Sequence, residues 1–127
     1  MSHATLEHLN VTVRDPDATA AMLEHLFGWK ERWRGAAIHG GRSIHVGSPS
    51  DYIAVYALPE ASPDAGDSYR RIGGLNHIGV VVDDLDAVEA KVVAAGLTPH
   101  SHADYDPGRR FYFNDADGIE FEVVSYA

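Results

Sequence analysis

The sequence predicts an α+β protein of two βαβββ halves, and three observations lead there. The first is an internal repeat. Sliding the chain by 69 residues lays positions 6–21 on 75–90. Leu6/Leu75, His8/His77, Val11/Val80, Val13/Val82, Asp15/Asp84, Asp17/Asp86, Ala18/Ala87 and Ala21/Ala90 are then identical, 8 of 16. Solenoid repeats run to about 20–50 residues, so one longer repeat marks two similar half-domains instead. The second observation is that each copy opens with a short, branched, apolar strand and passes into a capped helical pattern. The third is that each copy then carries three more strand-like segments, with a turn-rich connector between the copies.

Taken in order, residues 6–14 and 75–83 read as strands by length and branched content. After the first, Asp15 is a good N-cap and Pro16 sits at the first helical position. Ala18, Ala21, Met22, His25 and Leu26 share one face as far as Gly28. In the second half Asp84 caps, Leu85, Val88, Val92 and Ala95 form the stripe, and Gly96 is the stop. Three strands follow each helix: near 30–34, 42–46 and 52–58, then near 98–102, 109–113 and 119–125. "PEASPDAGDSYRRIGG", residues 59–74, is rich in Pro, Gly, Ser and Asp and reads as the connector. The expected organisation is one domain over 1–127, with half-domains at about 5–58 and 75–126.

Composition narrows the function. At 45% hydrophobic and 23% charged the chain is ordinary for a globular protein. No apolar run approaches the roughly 20 residues a membrane span needs, and no signal-peptide pattern opens the sequence. Cysteine is absent, which excludes disulfides and thiolate nucleophiles and is compatible with a reducing compartment. A net charge of −9 argues against nucleic acid, which asks for a basic face. The expectation is a cytoplasmic protein with a small-molecule partner, no nucleic acid and no membrane.

Strand alternation then sorts the polar residues. Neighbours on a strand point to opposite faces. Leu9, Val11 and Val13 go toward the helix, and His8, Asn10 and Thr12 go away from it. Ile78, Val80 and Val82 likewise oppose His77, Gly79 and Val81. In the last strand Phe121 and Val123 oppose Glu120, Glu122 and Val124. His8, His77 and Glu122 are therefore all expected on the face that no helix covers. Two imidazoles and one carboxylate are the set that holds a divalent transition metal while leaving positions open.

These residues match a family pattern. The chain resembles the vicinal oxygen chelate superfamily, which includes glyoxalase I, extradiol dioxygenases, fosfomycin-modifying transferases and bleomycin-resistance proteins. The most specific pieces are "LNHIGVVVDDLDA", residues 75–87, and "FYFNDADGIEFEVVSY", residues 111–126. The resemblance implies a cup-shaped fold with four strands per half, and His8, His77 and Glu122 as metal ligands. In the family the ligand glutamate falls seven residues after the first turn aspartate, here Asp115 to Glu122. The resemblance also implies a homodimer, and a divalent cofactor that is one of Fe, Mn, Zn, Ni or Co. The fourth ligand of glyoxalase I has no counterpart, since its place falls on Ala54 or Val55. Tyr112 falls on a tyrosine that lines the substrate pocket in the fosfomycin transferases.

Tyr112 and His45 are the candidate catalytic residues, His45 because it alternates with Ile44 and Val46. Tyr52 and Tyr56 share a face as a pocket wall. His100 and His102 stand beside "ADYDPG", residues 103–108, a turn-rich loop able to lid the cup. Asp83, Asp84 and Asp86 read as a strand end and helix cap rather than a chelating cluster. The expected function is a divalent-metal-dependent enzyme (a lyase, dioxygenase or transferase) that chelates a small oxygen-rich substrate. The alternative is a metal-free binding protein of the bleomycin-resistance type.

Overall fold

The computed structural model describes residues 3–61, 66–105 and 107–127. The fold is α+β, two βαβββ half-domains, each a four-stranded sheet with one helix. The chain clusters into two compact units, residues 1–62 and 63–127.

In the first unit β1 (His8–Thr12) leads through the Asp15 cap into α1 (Pro16–Phe27). The Asp15 carboxylate accepts from Ala18 N at 3.2 Å, and Pro16 takes a place where its missing N–H costs nothing. Gly28, at φ 71°, ends the helix in the left-handed conformation. The strands β2 (Lys30–Ala36), β3 (Arg42–Gly47) and β4 (Tyr52–Ala57) complete a sheet of order β1-β4-β3-β2, with β1 and β4 parallel. Helix α1 packs on β3 and β4. Val13, Ile44, Val46, Ile53 and Val55 are buried toward it.

The buried stripe of α1 is Pro16, Thr19, Ala20, Leu23 and Leu26. This corrects the expected stripe, in which Ala18, Ala21 and His25 turn out exposed. Both sets share the helical spacing, so periodicity alone does not choose between them. Apolar area does, because Leu23 brings far more of it to the sheet than an alanine.

The second unit repeats the plan. Its strands are β5 (Ile78–Val81), β6 (His100–Tyr105), β7 (Gly108–Asn114) and β8 (Glu120–Ser125), in the order β5-β8-β7-β6. Its helix is α2 (Leu85–Ala94), capped by Asp84, with Leu85, Val88 and Val92 buried. After α2, Gly96 N bonds Val93 O and Leu97 N bonds Val92 O, which closes the helix at the expected glycine. The core stacks Phe113 on Phe121, with Phe111, Ile78, Val80 and Val123 around them.

One expectation about the second half changes. Strand β6 runs to Tyr105, which pairs with Gly108, so residues 103–105 belong to a hairpin rather than a lid loop; position 106 lies outside the described residues. Of the connector 59–74, positions 62–65 also lie outside them, while Ser68–Arg70 form a 3₁₀ turn.

Candidate functional site

The helix-free face of the first sheet carries a row of rings across all four strands. Register places His8 opposite Tyr52, and their rings stack at 4.8 Å. Tyr52 stacks in turn on His45 at 4.4 Å, and His45 lies 4.9 Å from Trp33, its partner on β2. The Arg32 guanidinium covers Tyr52 at 4.7 Å. Glu7 bends back to this row, its Oε1 2.8 Å from His8 Nδ1 and accepting from the Tyr52 hydroxyl at 3.3 Å.

Electrostatics follow from these neighbours. Burial lowers the His45 pKa from the ordinary imidazole value, and the His8 and Arg32 charges lower it further. His45 is therefore a neutral base at neutral pH. Burial and the Glu7 carboxylate raise Tyr52 above the usual phenol value. Register also decides the missing fourth ligand. Ala54 lies between Asn10 and His45 on the helix-free face, whereas Val55 is buried on the helix side. Neither side chain has a donor atom for a metal.

In the second sheet the same face gathers a polar cluster. His77 immediately precedes β5, and Gly79 pairs with Glu122 on β8, which pairs with Tyr112 on β7. His77 Nε2 stands 3.1 Å from Glu122 Oε1, with the two side chains 33% and 13% exposed. The other Glu122 oxygen accepts from Arg110 at 2.7 Å. Glu120 Oε1 is 3.7 Å from His77 Nδ1 and accepts from the Tyr69 hydroxyl, which itself lies 3.2 Å from His77 Nδ1. Tyr112 meets His77 edge-on at 5.6 Å. Burial and then the Glu122 carboxylate raise the Tyr112 pKa, so the phenol keeps its proton at neutral pH.

The two arginines part ways. Arg109 turns to Asp86 on α2, while Arg110 lies under Tyr105 at 4.8 Å and reaches Glu122. The two histidines of β6 part as well. Ser101 adopts φ 56° at an irregularity in the β6–β7 pairing. Such a bulge re-aims the residues after it. His100 consequently stays beside Tyr112 and bonds Asn114, whereas His102 turns to Glu89 of α2 at 2.7 Å. His102 and Glu89 line an open cavity of about 270 Å³ with Leu85, Asp104, Arg109 and Arg110.

The turn from β7 to β8 sets where Glu122 falls. Asp115 Oδ1 accepts from Asp117 N and Ile119 N, both at 2.9 Å, and Gly118 takes φ 81°. Asp115 is thus a turn-former seven residues before Glu122.

Of the expected site residues, the structure brings His77, Glu122 and Tyr112 together in the second half, and His8 and His45 onto one ring row in the first. Among the described residues no group of three His, Asp or Glu side chains is gathered tightly enough to hold an ion. Sequence reasoning missed Glu7, Tyr69 and Glu120. Tyr69 was hidden in a stretch read only as a connector, although an aromatic two residues after Asp67, a turn-capping residue, was a usable signal.

The sequence profile of the Glyoxalase/Bleomycin resistance protein/Dioxygenase superfamily matches residues 5–123. Among curated proteins none matches. Among solved structures, a glyoxylase/bleomycin resistance protein/dioxygenase domain from Frankia sp. EAN1pec is 26% identical, with a TM-score of 0.82 over 98% of both chains. The fosfomycin resistance protein FosX from Listeria monocytogenes, complexed with Mn(II) and sulfate, is 20% identical with a TM-score of 0.71. That match covers 98% of this chain and 93% of the other. FosX from Mesorhizobium loti is 24% identical with a TM-score of 0.69, again over 98% and 93%. At these identities the two FosX proteins show a shared fold.

Proposed function

Because the chain belongs to the Glyoxalase/Bleomycin resistance protein/Dioxygenase superfamily, we propose that it is a divalent-metal-dependent enzyme acting on a small, oxygen-rich substrate. The observation that carries this reading is the 3.1 Å approach of His77 Nε2 to Glu122 Oε1 on the helix-free face. Two ligands at about 2.1 Å from one ion and at right angles stand about 3.0 Å apart. The spacing of the pair is therefore compatible with a shared ion. His8 would be the third ligand. The Mn(II) held by FosX makes Mn a natural first choice among Fe, Mn, Zn, Ni and Co.

A bound divalent ion supplies Lewis acidity to neighbouring substrate oxygens. The chain's own residues do the rest. Arg110 pins the second Glu122 oxygen and so fixes the carboxylate. Tyr112 keeps its proton and is a hydrogen-bond donor to an anionic oxygen. His45 is neutral and is the candidate proton acceptor. No helix of the described residues is long and apolar enough to cross a membrane. With the acidic composition, this supports a cytoplasmic protein that takes a small molecule and leaves nucleic acid alone. Leu6 and Leu75, equivalent in the repeat, are 78% and 47% exposed and support a homodimer.

A second reading has its own observation. Arg110 and His77 together engage both oxygens of Glu122, which also describes a self-sufficient network in a metal-free binding protein. Metal analysis of protein purified without a histidine tag separates the two. About one ion per chain, with ligand binding or turnover lost to a strong chelator, is the expected result. Metal-free protein whose ligand binding ignores the chelator would put the sequestering function in its place.

A further inference from the structure

We propose that two glutamate–tyrosine pairs, Glu7–Tyr52 and Glu120–Tyr69, are positioning pairs. They hold His8 and His77 as Nδ1–H tautomers and leave Nε2 of each ring free as the ligand atom. The word ligand rests on the metal reading above; the tautomer does not.

A phenol has one proton to give and a carboxylate has none. The Tyr69 hydroxyl faces two groups, Glu120 Oε1 and His77 Nδ1. Glu120 can only accept, so the phenol proton goes to it and the Tyr69 oxygen is left as an acceptor. His77 Nδ1 must then donate. In the neutral ring the other nitrogen then presents a lone pair to Glu122 Oε1 across 3.1 Å, whereas an imidazolium donates there instead. Two acceptors face to face at that distance repel unless a proton or a metal cation lies between them. A cation satisfies both at once.

The first half reaches the same end with different residues. Glu7 Oε1 accepts from the Tyr52 hydroxyl at 3.3 Å and lies 2.8 Å from His8 Nδ1, so that nitrogen also carries a hydrogen. The Tyr52 ring, 8° from parallel, fixes the plane of the imidazole. The repeat does not impose this likeness. Glu7 falls on Asn76 in the repeat, and the strand register puts Tyr52 where the second sheet has Glu120. In the first sheet the cross-strand partner is the tyrosine and the carboxylate is local. In the second the carboxylate opens β8, and the tyrosine comes from the 3₁₀ turn before β5.

That turn is built to deliver Tyr69. Asp67 Oδ1 accepts from Tyr69 N at 3.0 Å, and Gly74 N closes on Arg71 O at 2.9 Å. A side chain at position 74 would meet Ser68 O at 2.3 Å, so glycine is required there. Partners on the outer ring nitrogen commonly orient a metal-binding histidine, and losing them weakens metal affinity about 10–100-fold.

The test uses the full chain, metal-free and ¹⁵N-labelled, with two-bond ¹H–¹⁵N correlation of the imidazoles at mildly alkaline pH. His8 and His77 are expected as Nδ1–H tautomers. Tyr69→Phe and Glu120→Gln should each move His77 toward Nε2–H without moving His8, and Glu7→Gln should do the reverse. Zn²⁺ affinity of Tyr69→Phe should fall about 10–100-fold. Tyr69 is an exposed side chain, so Tyr69→Phe remains informative if Glu120→Gln fails to fold. Nε2–H at His77 in the unsubstituted protein, or a His77 tautomer that ignores Tyr69→Phe, would overturn the proposal. Nδ1–H signals in a protein that binds no Zn²⁺ would uphold the pairs and overturn the metal reading instead.

Discussion

Phe121 and Val81 test the assignment of faces on which the aim of Glu122 depends. Phe121 sits on β8 between Glu120 and Glu122, 1% exposed, opposite Ile78 and Phe113 and stacked on the Phe113 ring at 5.1 Å. Phe121→Ala removes a fully buried aromatic from a close-packed core, which costs about 3–5 kcal/mol. The stack accounts for about 0.5–1.5 kcal/mol of that. For a chain of this length each kcal/mol moves the melting midpoint by roughly 3–6 °C, so a fall of roughly 10–20 °C is expected. Val81 lies on β5 of the same sheet, on the opposite face and 64% exposed. Val81→Ala should stay within about 0.5 kcal/mol. Urea and thermal unfolding followed by circular dichroism measure both. Equal costs at the two positions would refute the reasoning, since Glu122 would then have no assigned side of the sheet.

Three further outcomes follow from the site and its surroundings. Folded His45 resists a proton that the unfolded chain accepts, so its contribution to stability is full above about pH 6.5 and fades as pH falls toward its lowered value. His45→Gln should therefore lose stability less steeply than the unsubstituted protein between pH 7.5 and pH 5, and parallel slopes in urea titrations would contradict this. Burial raises the Asp115 pKa despite the backbone N–H groups of Ile119 and Asp117, so folding favours its protonated form and loses that contribution as pH rises. Asp115→Asn keeps an oxygen acceptor for both N–H groups and should be at least as stable at pH 7, an advantage that shrinks toward pH 3; a loss above about 1 kcal/mol at pH 7 would count against it. Light scattering should show a dimer at micromolar concentration that Leu75→Glu drives to monomer, and a monomeric unsubstituted protein would count against the dimer.

Much of the fold was legible because its signals are local. Asp15, Pro16 and Gly28 mark α1, and Asp84 and Gly96 mark α2, through caps that need no tertiary information. Strict alternation gave the faces of β5 and β8. The stripe of α1 was misread because two periodic sets compete there, and only packing against β3 and β4 selects Leu23 and Leu26. The split between His100 and His102 was hidden for a different reason. It depends on a backbone irregularity at Ser101, a residue type with no special preference for a positive φ. Tyr69 and Glu7 escaped because their roles are hydrogen bonds to a ring nitrogen, which leave no periodic trace. Arg109 and Arg110 are adjacent, so alternation required them to diverge but did not say which one reaches Glu122.

The most direct measurement is a Co²⁺ titration of untagged, chelator-treated protein, followed by its visible absorption, with His77→Ala and Glu122→Gln run in parallel. One ion per chain is expected in the unsubstituted protein, with binding weakened by more than about 10-fold in each variant. Far-ultraviolet circular dichroism should stay unchanged, because both side chains lie on the helix-free face. No binding to the unsubstituted protein, or equal binding by all three, would contradict a metal centre on His77 and Glu122.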